Sequence, residues 1–226
     1  MSEPTRFPSG VSTAEVGVFF NLPFPDPSRY IFEHFDFFNY VAGDWTATET
    51  DAAATQALSN GLGGQLLITN TAADDDLVSL QRTNRVYTLT AGKQTFFKTR
   101  FKVSDATQSD VLFGIVLNDT TPFAHTDGIV FRKDDGDTEI DFASTKNSVS
   151  SSATNIGTLV SDTFIELGFW FDGKNFHLYV DGIKKEIITS AIFCNDELLT
   201  QTMALQNGEA VAKTMTIDYI TVAQER

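Results

Sequence analysis

From Tyr30 onward the chain consists of short runs in which apolar and polar residues alternate, and glycine or polar residues interrupt these runs every ~8–12 residues. Alternation with a period of two places one side of each run in a core and leaves the other side outside, as in a half-buried β-strand. No segment carries a persuasive 3.6-residue apolar stripe, which would indicate an amphipathic helix. The pattern therefore predicts an all-β sandwich or barrel of antiparallel strands.

Three Asp-Gly pairs supply the positive backbone angles that tight turns require, and they predict a meander of adjacent strands. The pairs are Asp135-Gly136, Asp172-Gly173 and Asp181-Gly182. The stretch from Ser144 to Asn155, rich in Ser, Thr and Asn, is predicted as a loop between sheets. Strands are expected at residues 31–40, 45–50, 65–69, 77–89, 94–103, 110–117, 127–133, 137–143, 163–172, 175–181, 183–188, 199–206 and 213–223.

The first 29 residues differ from the rest and are predicted to form an extended arm, followed by one domain over residues 30–226. Five of the six prolines lie in residues 1–27, where their fixed φ and missing N–H oppose both helices and central strands. The same segment is too apolar for a disordered tail. It packs either along its own domain or on a neighbouring subunit or another protein. For the second alternative, the residues expected to bind the partner are Arg6, Phe7, Val11, Phe19, Phe20, Leu22 and Phe24.

Composition restricts the partners. Sixteen Lys and Arg against thirty Asp and Glu give a net charge of −14, which disfavours binding to nucleic acid or to anionic lipid. No apolar stretch approaches the ~18 residues of a membrane span. The single Cys194 forms no intrachain disulfide, and no secretory signal pattern precedes the domain. Synthesis in a cytoplasm is expected.

Several segments resemble the concanavalin A-like lectin/glucanase superfamily, which includes laminin-G-like domains. The segment 164–173, FIELGFWFDG, continues into HLYVDG at 177–182, like two adjacent jelly-roll strands of that superfamily. GQLLI at 64–68, FKTRFKV at 97–103 and MTIDYITV at 215–222 are similar to its early, middle and closing strands. The resemblance covers roughly residues 35–224. It implies a jelly-roll β-sandwich of two antiparallel sheets.

In arrangement, the acidic chain, the Pro/Phe arm and the jelly-roll body also resemble capsid decoration (cement) proteins of tailed bacteriophages. This resemblance implies a non-enzymatic virion protein on the capsid exterior that stabilises the head. It would bind the major capsid protein and neighbouring copies of itself, with a homotrimer favoured. The alternative is a carbohydrate-binding, lectin-like module for host or glycan recognition, and a degraded glycosidase is a third reading.

The glucanases of this superfamily carry two catalytic carboxylates on a strand motif of the form Glu-ϕ-Asp-x-(x)-Glu. Glu139-Ile140-Asp141 begins this motif, but Ala143 and Ser144 occupy both positions where the second catalytic carboxylate would stand. Retaining hydrolysis needs two carboxyl groups about 5–5.5 Å apart, so the sequence predicts no enzyme activity. Glu139 and Asp141 are read as the polar face of a strand.

No cofactor or metal ligand is assigned. The acidic clusters Asp74-Asp75-Asp76 and Asp134, Asp135, Asp137 with Glu139 offer the oxygen ligands that calcium prefers, but solvated turns are the favoured interpretation. Cys194 is expected to be a small buried side chain. For glycan binding, Trp45 is the candidate aromatic because polar residues flank it, whereas Trp170 is assigned to the core because its strand is apolar.

Overall fold

The structure, a computed structural model, describes residues 29–189 and 192–226. These residues form fifteen strands and two short 3₁₀ turns, Ala42–Asp44 and Pro122–Ala124. The strands are β1 Tyr30–Phe35, β2 Trp45–Glu49, β3 Thr55–Ser59, β4 Gln65–Thr69, β5 Leu77–Arg82, β6 Thr95–Val103, β7 Ser109–Val116, β8 Gly128–Lys133, β9 Glu139–Lys146, β10 Val149–Thr158, β11 Ile165–Phe171, β12 Asn175–Val180, β13 Ile183–Thr189, β14 Thr200–Asn207 and β15 Thr214–Glu225. Within this part of the chain, no helix is long and apolar enough to cross a membrane.

The strands form two antiparallel sheets that pack face to face as a jelly-roll sandwich. The first sheet has eight strands. Seven of them follow the order β13-β12-β11-β6-β15-β4-β3. The eighth, β1, pairs with the C-terminal half of β15, whose N-terminal end pairs with β4 on the same side. The second sheet has seven strands in the order β10-β9-β8-β7-β14-β5-β2. The predicted all-β fold with two antiparallel sheets is confirmed.

All three predicted Asp-Gly turns join neighbouring strands. They connect β8 to β9, β11 to β12 and β12 to β13, and each glycine has a positive φ between 72° and 93°. A residue with a Cβ rarely adopts this conformation, which is why glycine stands at these turns. The predicted meander of adjacent strands is therefore confirmed.

The prediction of a loop over residues 144–155 is wrong. Ser144 belongs to β9, and Val149–Thr158 is strand β10, which pairs with β9 at the edge of the second sheet. An edge strand has one unpaired side and here buries few side chains, so its polar composition does not prevent pairing. Strand β3 was likewise not predicted, and β5 ends at Arg82, well before the expected residue 89.

The core between the sheets is rich in phenylalanine. The Phe169 ring lies 5.4 Å from the Phe97 ring, 5.9 Å from those of Phe142 and Phe176, and 6.2 Å from that of Phe131, measured between centroids. Strands such as β4, β6 and β12 contribute alternate residues to this core, as the period of two requires. The intervening residues form the outer faces of the sheets.

Candidate functional site

The strand with the incomplete glucanase motif is β9, in the second sheet. Its side chains alternate regularly: Ile140 and Phe142 lie in the core, so Glu139, Asp141 and Ala143 point to the outer face. Ser144 is fully buried, and its hydroxyl donates to the Ile192 carbonyl at 2.8 Å. β9 therefore presents no further carboxylate beside Glu139 and Asp141.

Both carboxylates are hydrogen-bonded to one residue, Asn155 of β10. The Asn155 side-chain amide donates to Glu139 at 2.7 Å, and its backbone N–H donates to Asp141 at 2.8 Å. Asn155 has a φ of 54° and lies where the register of β10 shifts against β9. The two acids thus fix an irregular edge strand, in agreement with the structural interpretation of this motif.

The middle of this outer face is covered by the chain itself. Residues 117–127, between β7 and β8, fold across it: the Asp119 N–H donates to the Gln81 side chain at 3.0 Å, and Arg132 donates to the Phe123 carbonyl at 2.9 Å. The Phe123 side chain packs on a separate apolar cluster formed by Leu77, Leu112, Val116, Val130 and Ala204. A polymer cannot lie across this part of the sheet while the segment stays in place.

No segment among residues 29–189 and 192–226 covers the outer face of the first sheet at its centre. This face carries a groove of about 380 Å³ over β6, β11, β12 and β15. The residues that line it are Phe96, Phe97, Lys98, Glu166, Gly168, Phe169, Trp170, Tyr179, Gly182 and Thr221.

Gly168 forms the floor of the groove because its position on β11 points outward without a side chain. It pairs with Tyr179 of β12 on one side and with Lys98 of β6 on the other. A Cβ at this position would lie 3.2 Å from the Phe97 carbonyl oxygen and would occupy the floor. The groove therefore depends on glycine at this point.

Two aromatic rings, Trp170 and Phe96, form one wall, and His177 supports Trp170 from behind. The Trp170 ring is stacked between His177, at 4.6 Å, and Phe96, at 6.0 Å and nearly parallel to it. The indole N–H of Trp170 donates to the Gln94 side chain at 3.2 Å, and His177 is held by Asp172 at 2.8 Å. These bonds fix the orientation of the rings, so the wall is preorganised for an apolar ligand surface.

The opposite side of the groove is polar. Glu166 accepts hydrogen bonds from Lys98, at 2.8 Å, and from the Tyr219 hydroxyl. Burial tends to raise the pKa of Glu166, but these two hydrogen bonds outweigh it and hold that pKa below its ordinary value. Burial and the contact with Glu166 raise the pKa of Tyr219 well above its ordinary value. At neutral pH the Glu166 carboxyl is thus ionised and the Tyr219 phenol is protonated.

The assignment of the two tryptophans is wrong on both counts. Trp45 is 7% exposed and lies in the core, with its ring 5.2 Å from that of Phe35 and the Arg82 guanidinium over it. Trp170 instead points outward into the groove, because the neighbouring Phe169 and Phe171 fill the core side of the same strand. Glu166 lies four residues earlier on the same face of β11, and its charge was the sequence feature that indicated that this face points outward.

Several carboxylates of the acidic clusters considered for calcium have protein partners. Asp76 is buried, and its carboxylate accepts from Thr50 at 2.6 Å and from the Thr71 backbone and hydroxyl at 2.6 and 2.9 Å. Asp134 is paired with Arg132. These carboxylates serve local structure.

A further group brings Asp127, Cys194 and Asp196 together, with potential ligand atoms within 4.8 Å of one another. Cys194 is fully buried as expected, and burial raises the pKa of its thiol to about 11. This thiol is therefore protonated at neutral pH.

The residues predicted to bind a partner all lie outside the described part of the chain. They are Arg6, Phe7, Val11, Phe19, Phe20, Leu22 and Phe24, within residues 1–28. Their role stays a prediction, as does the boundary between arm and domain.

Neither family models nor curated proteins match this sequence. Solved structures do match its fold. A Bacillus licheniformis β-glucanase shares 16% identity over 84% of this chain and 97% of its own, with a TM-score of 0.62. Peanut lectin, in complex with a nine-residue peptide, shares 12% identity over 86% and 97% of the two chains, with the same TM-score of 0.62. A Shewanella oneidensis protein of unknown function, SO2946, shares 13% identity over 87% of both chains, with a TM-score of 0.61.

At identities of 12–16%, these matches establish the fold and leave the activity open, since lectins and glucanases both appear among them. The chain therefore has the jelly-roll fold of the concanavalin A-like lectins and glucanases.

Proposed function

We propose that this protein is a non-catalytic carbohydrate-binding protein that holds a glycan in the groove on the outer face of its first sheet. The observation that carries the proposal is the combination of an oriented aromatic wall at Trp170 and Phe96 with a polar side at Lys98 and Glu166, separated by the glycine floor. The lectin-like fold supports it.

The chemistry of a sugar ring fits these two sides. The C–H face of a pyranose is apolar and can pack on the aromatic wall, whereas its hydroxyl groups need donors and acceptors at the edge. His177 and Phe96 cover the two faces of the Trp170 ring, so a sugar contacts the edge of that ring. Glu166 can accept, Lys98 can donate, and the hydroxyls of Tyr179 and Thr221 can do both. Because Lys98 and Glu166 neutralise each other, the groove does not require a charged ligand.

The test compares aromatic residues that line the groove with a phenylalanine outside it. Full-length protein is screened on a glycan array, and the affinity for any bound glycan is measured by calorimetry. We expect Trp170→Ala and Phe96→Ala to weaken binding by about tenfold or more, as for central aromatic contacts in other interfaces. Phe38→Ala, which removes a ring that is 80% exposed and outside the groove, should bind as the unmodified protein does.

An array without any bound glycan would contradict the proposal. So would equal affinity for Trp170→Ala and the unmodified chain, since the ligand would then bind elsewhere.

The absence of catalysis is a separate expectation. β9 lacks the second carboxylate of the glucanase motif, and residues 117–127 cover the middle of that face. Purified protein should release no reducing ends from mixed-linkage β-glucan, assayed beside an active glucanase. Release that disappears in Glu139→Gln would show that β9 is catalytic after all.

The virion role stays a proposal of its own. It rests on the apolar, proline-rich segment of residues 1–28, which is outside the described residues. The proposed capsid partner, homotrimer and capsid location rest on the same segment. Groove and arm are different parts of the chain, so glycan binding and attachment to a particle are compatible.

A further inference from the structure

The groove is the centre of a longer arrangement on the first sheet. Strand pairing places one outward residue from each of six strands in a single row across the sheet. In order from β13 to β1, the row is Ile187, His177, Trp170, Phe96, Ala223 and Phe32, and we call it the apolar row because every member except His177 is apolar. Its two end residues are well exposed, Ile187 at 49% and Phe32 at 42%.

A second row runs beside the first, two residues away along five of the strands and three residues away along β13, where the register shifts. In the same strand order, this polar row is Lys184, Tyr179, Gly168, Lys98, Thr221 and His34. Every member except the glycine carries a group that forms hydrogen bonds. His34 and Thr221 are already oriented towards each other, with 2.7 Å between the imidazole Nδ1 and the hydroxyl oxygen.

The two rows define a long and narrow site. Neighbouring strands lie about 4.7–4.9 Å apart, so six strands give each row a length of roughly 24 Å. This length exceeds a single sugar ring several times. A ligand that uses both rows over their whole length must itself be extended, with an apolar face and a polar edge that repeat along it.

The position of the rows on the face of the sheet restricts the ligand further. Peptides that add a strand bind at a sheet edge, through unpaired backbone groups. Here the backbone of β12, β11, β6 and β15 is already paired on both sides, and recognition must use side chains alone. A ligand with its own array of C–H faces and hydroxyl groups suits such a surface.

We propose that the ligand is a linear polysaccharide that lies across the six strands, with its sugar rings on the apolar row and its hydroxyl groups towards the polar row. This inference rests on the proposed glycan-binding function and specifies its ligand as a chain instead of a terminal sugar. The groove at Gly168 then holds the central unit, while Ile187 and Phe32 contact units at the two ends.

The test measures affinity against chain length. Full-length protein is titrated with cellulose-, xylan- and mannan-derived oligosaccharides, from disaccharide to hexasaccharide. We expect affinity to rise about tenfold or more along the series that binds. Ile187→Ala and Phe32→Ala should weaken hexasaccharide binding several-fold and leave disaccharide binding unchanged, whereas Trp170→Ala should weaken both.

Leu58→Ala is the matched control. Leu58 is an aliphatic residue on β3, the opposite edge strand of the same sheet, and is 50% exposed, but it belongs to neither row. This variant should bind every oligosaccharide as the unmodified protein does.

The outcomes separate the two proposals. Affinity that is independent of length, with Ile187→Ala and Phe32→Ala unaffected, would overturn the extended site and leave a single-sugar site at Trp170. Failure of all oligosaccharides, together with an array that shows only monosaccharide or branched terminal ligands, would overturn it as well. An array with no glycan bound at all would overturn both proposals.

Discussion

We expect Phe169→Ala to lower the free energy of unfolding by about 3–5 kcal/mol, the range for a buried phenylalanine truncated to alanine. Phe169 is 2% exposed and contacts four other phenylalanine rings, contributed by both sheets. Removing its ring leaves a cavity between the sheets, because the surrounding strands are fixed by hydrogen bonds and collapse only in part. Urea denaturation followed by circular dichroism measures the loss.

The next residue provides the control. Trp170 is larger than Phe169 but points away from the core, so Trp170→Ala should lower the free energy of unfolding by only about 1–2 kcal/mol, through lost contacts with the His177 and Phe96 rings. The two neighbours would then separate stability from binding, because Phe169→Ala affects mainly stability and Trp170→Ala mainly binding. Equal destabilisation by both would show that Trp170 is a core residue, and the groove would lose its central side chain.

This pair of residues also shows what the sequence could predict. Alternation fixed the strands β6, β11, β12 and β15 to within a few residues, and the Asp-Gly pairs fixed their connections. It did not fix which face of β11 is buried, because Gly168 and Trp170 are apolar on the outer side as well. The groove needs an aromatic side chain on the outer face of β11. That same side chain makes the outer face look apolar in the sequence, so the alternation of buried and exposed residues cannot be recognised there.

The candidate site could not be predicted from the sequence for a different reason. Each row of the first sheet takes its residues from six strands, which begin between Tyr30 and Thr214. Their alignment depends on the register of five strand pairs, and a shift by one residue in any pair would turn that strand's side chains to the other face. No local motif encodes such a row. The cover over the second sheet is equally non-local, since Phe123, in the connection between β7 and β8, packs on a cluster whose members come from β5, β7, β8 and β14.

The second large effect is expected at Lys213. Its side chain is only 4% exposed, and its ammonium group lies 2.8 Å from Asp105 and 2.5 Å from Glu209. Lys213→Met keeps most of the buried stem but removes the charge, so the two carboxylates face each other without a cation. We expect a loss of about 2–3 kcal/mol, below the range for fully buried pairs because both carboxylates reach solvent.

The matched control is Lys98→Met. Lys98 also pairs with a carboxylate at 2.8 Å, that of Glu166, but its side chain is 51% exposed. An exposed pair contributes about 0–1 kcal/mol, so this variant should be nearly as stable as the unmodified protein. Similar losses of unfolding free energy in the two variants would mean that burial of the ammonium group is not the reason for the contribution of Lys213 to stability.

The pH dependence of stability provides an independent check on the same cluster. The hydrogen bond from Lys213, assisted by backbone N–H groups, lowers the pKa of Asp105 to about 2. Because the folded pKa is below the unfolded value of about 3.9, the stability that Asp105 contributes is fully present above the unfolded pKa and is lost as pH falls towards 2. In Lys213→Met the main cause of this shift is gone, so the decline in stability between pH 4 and pH 2 should be smaller than in the unmodified protein. An unchanged decline would assign the shift to the backbone donors of Gln108 and Thr107 instead of the lysine.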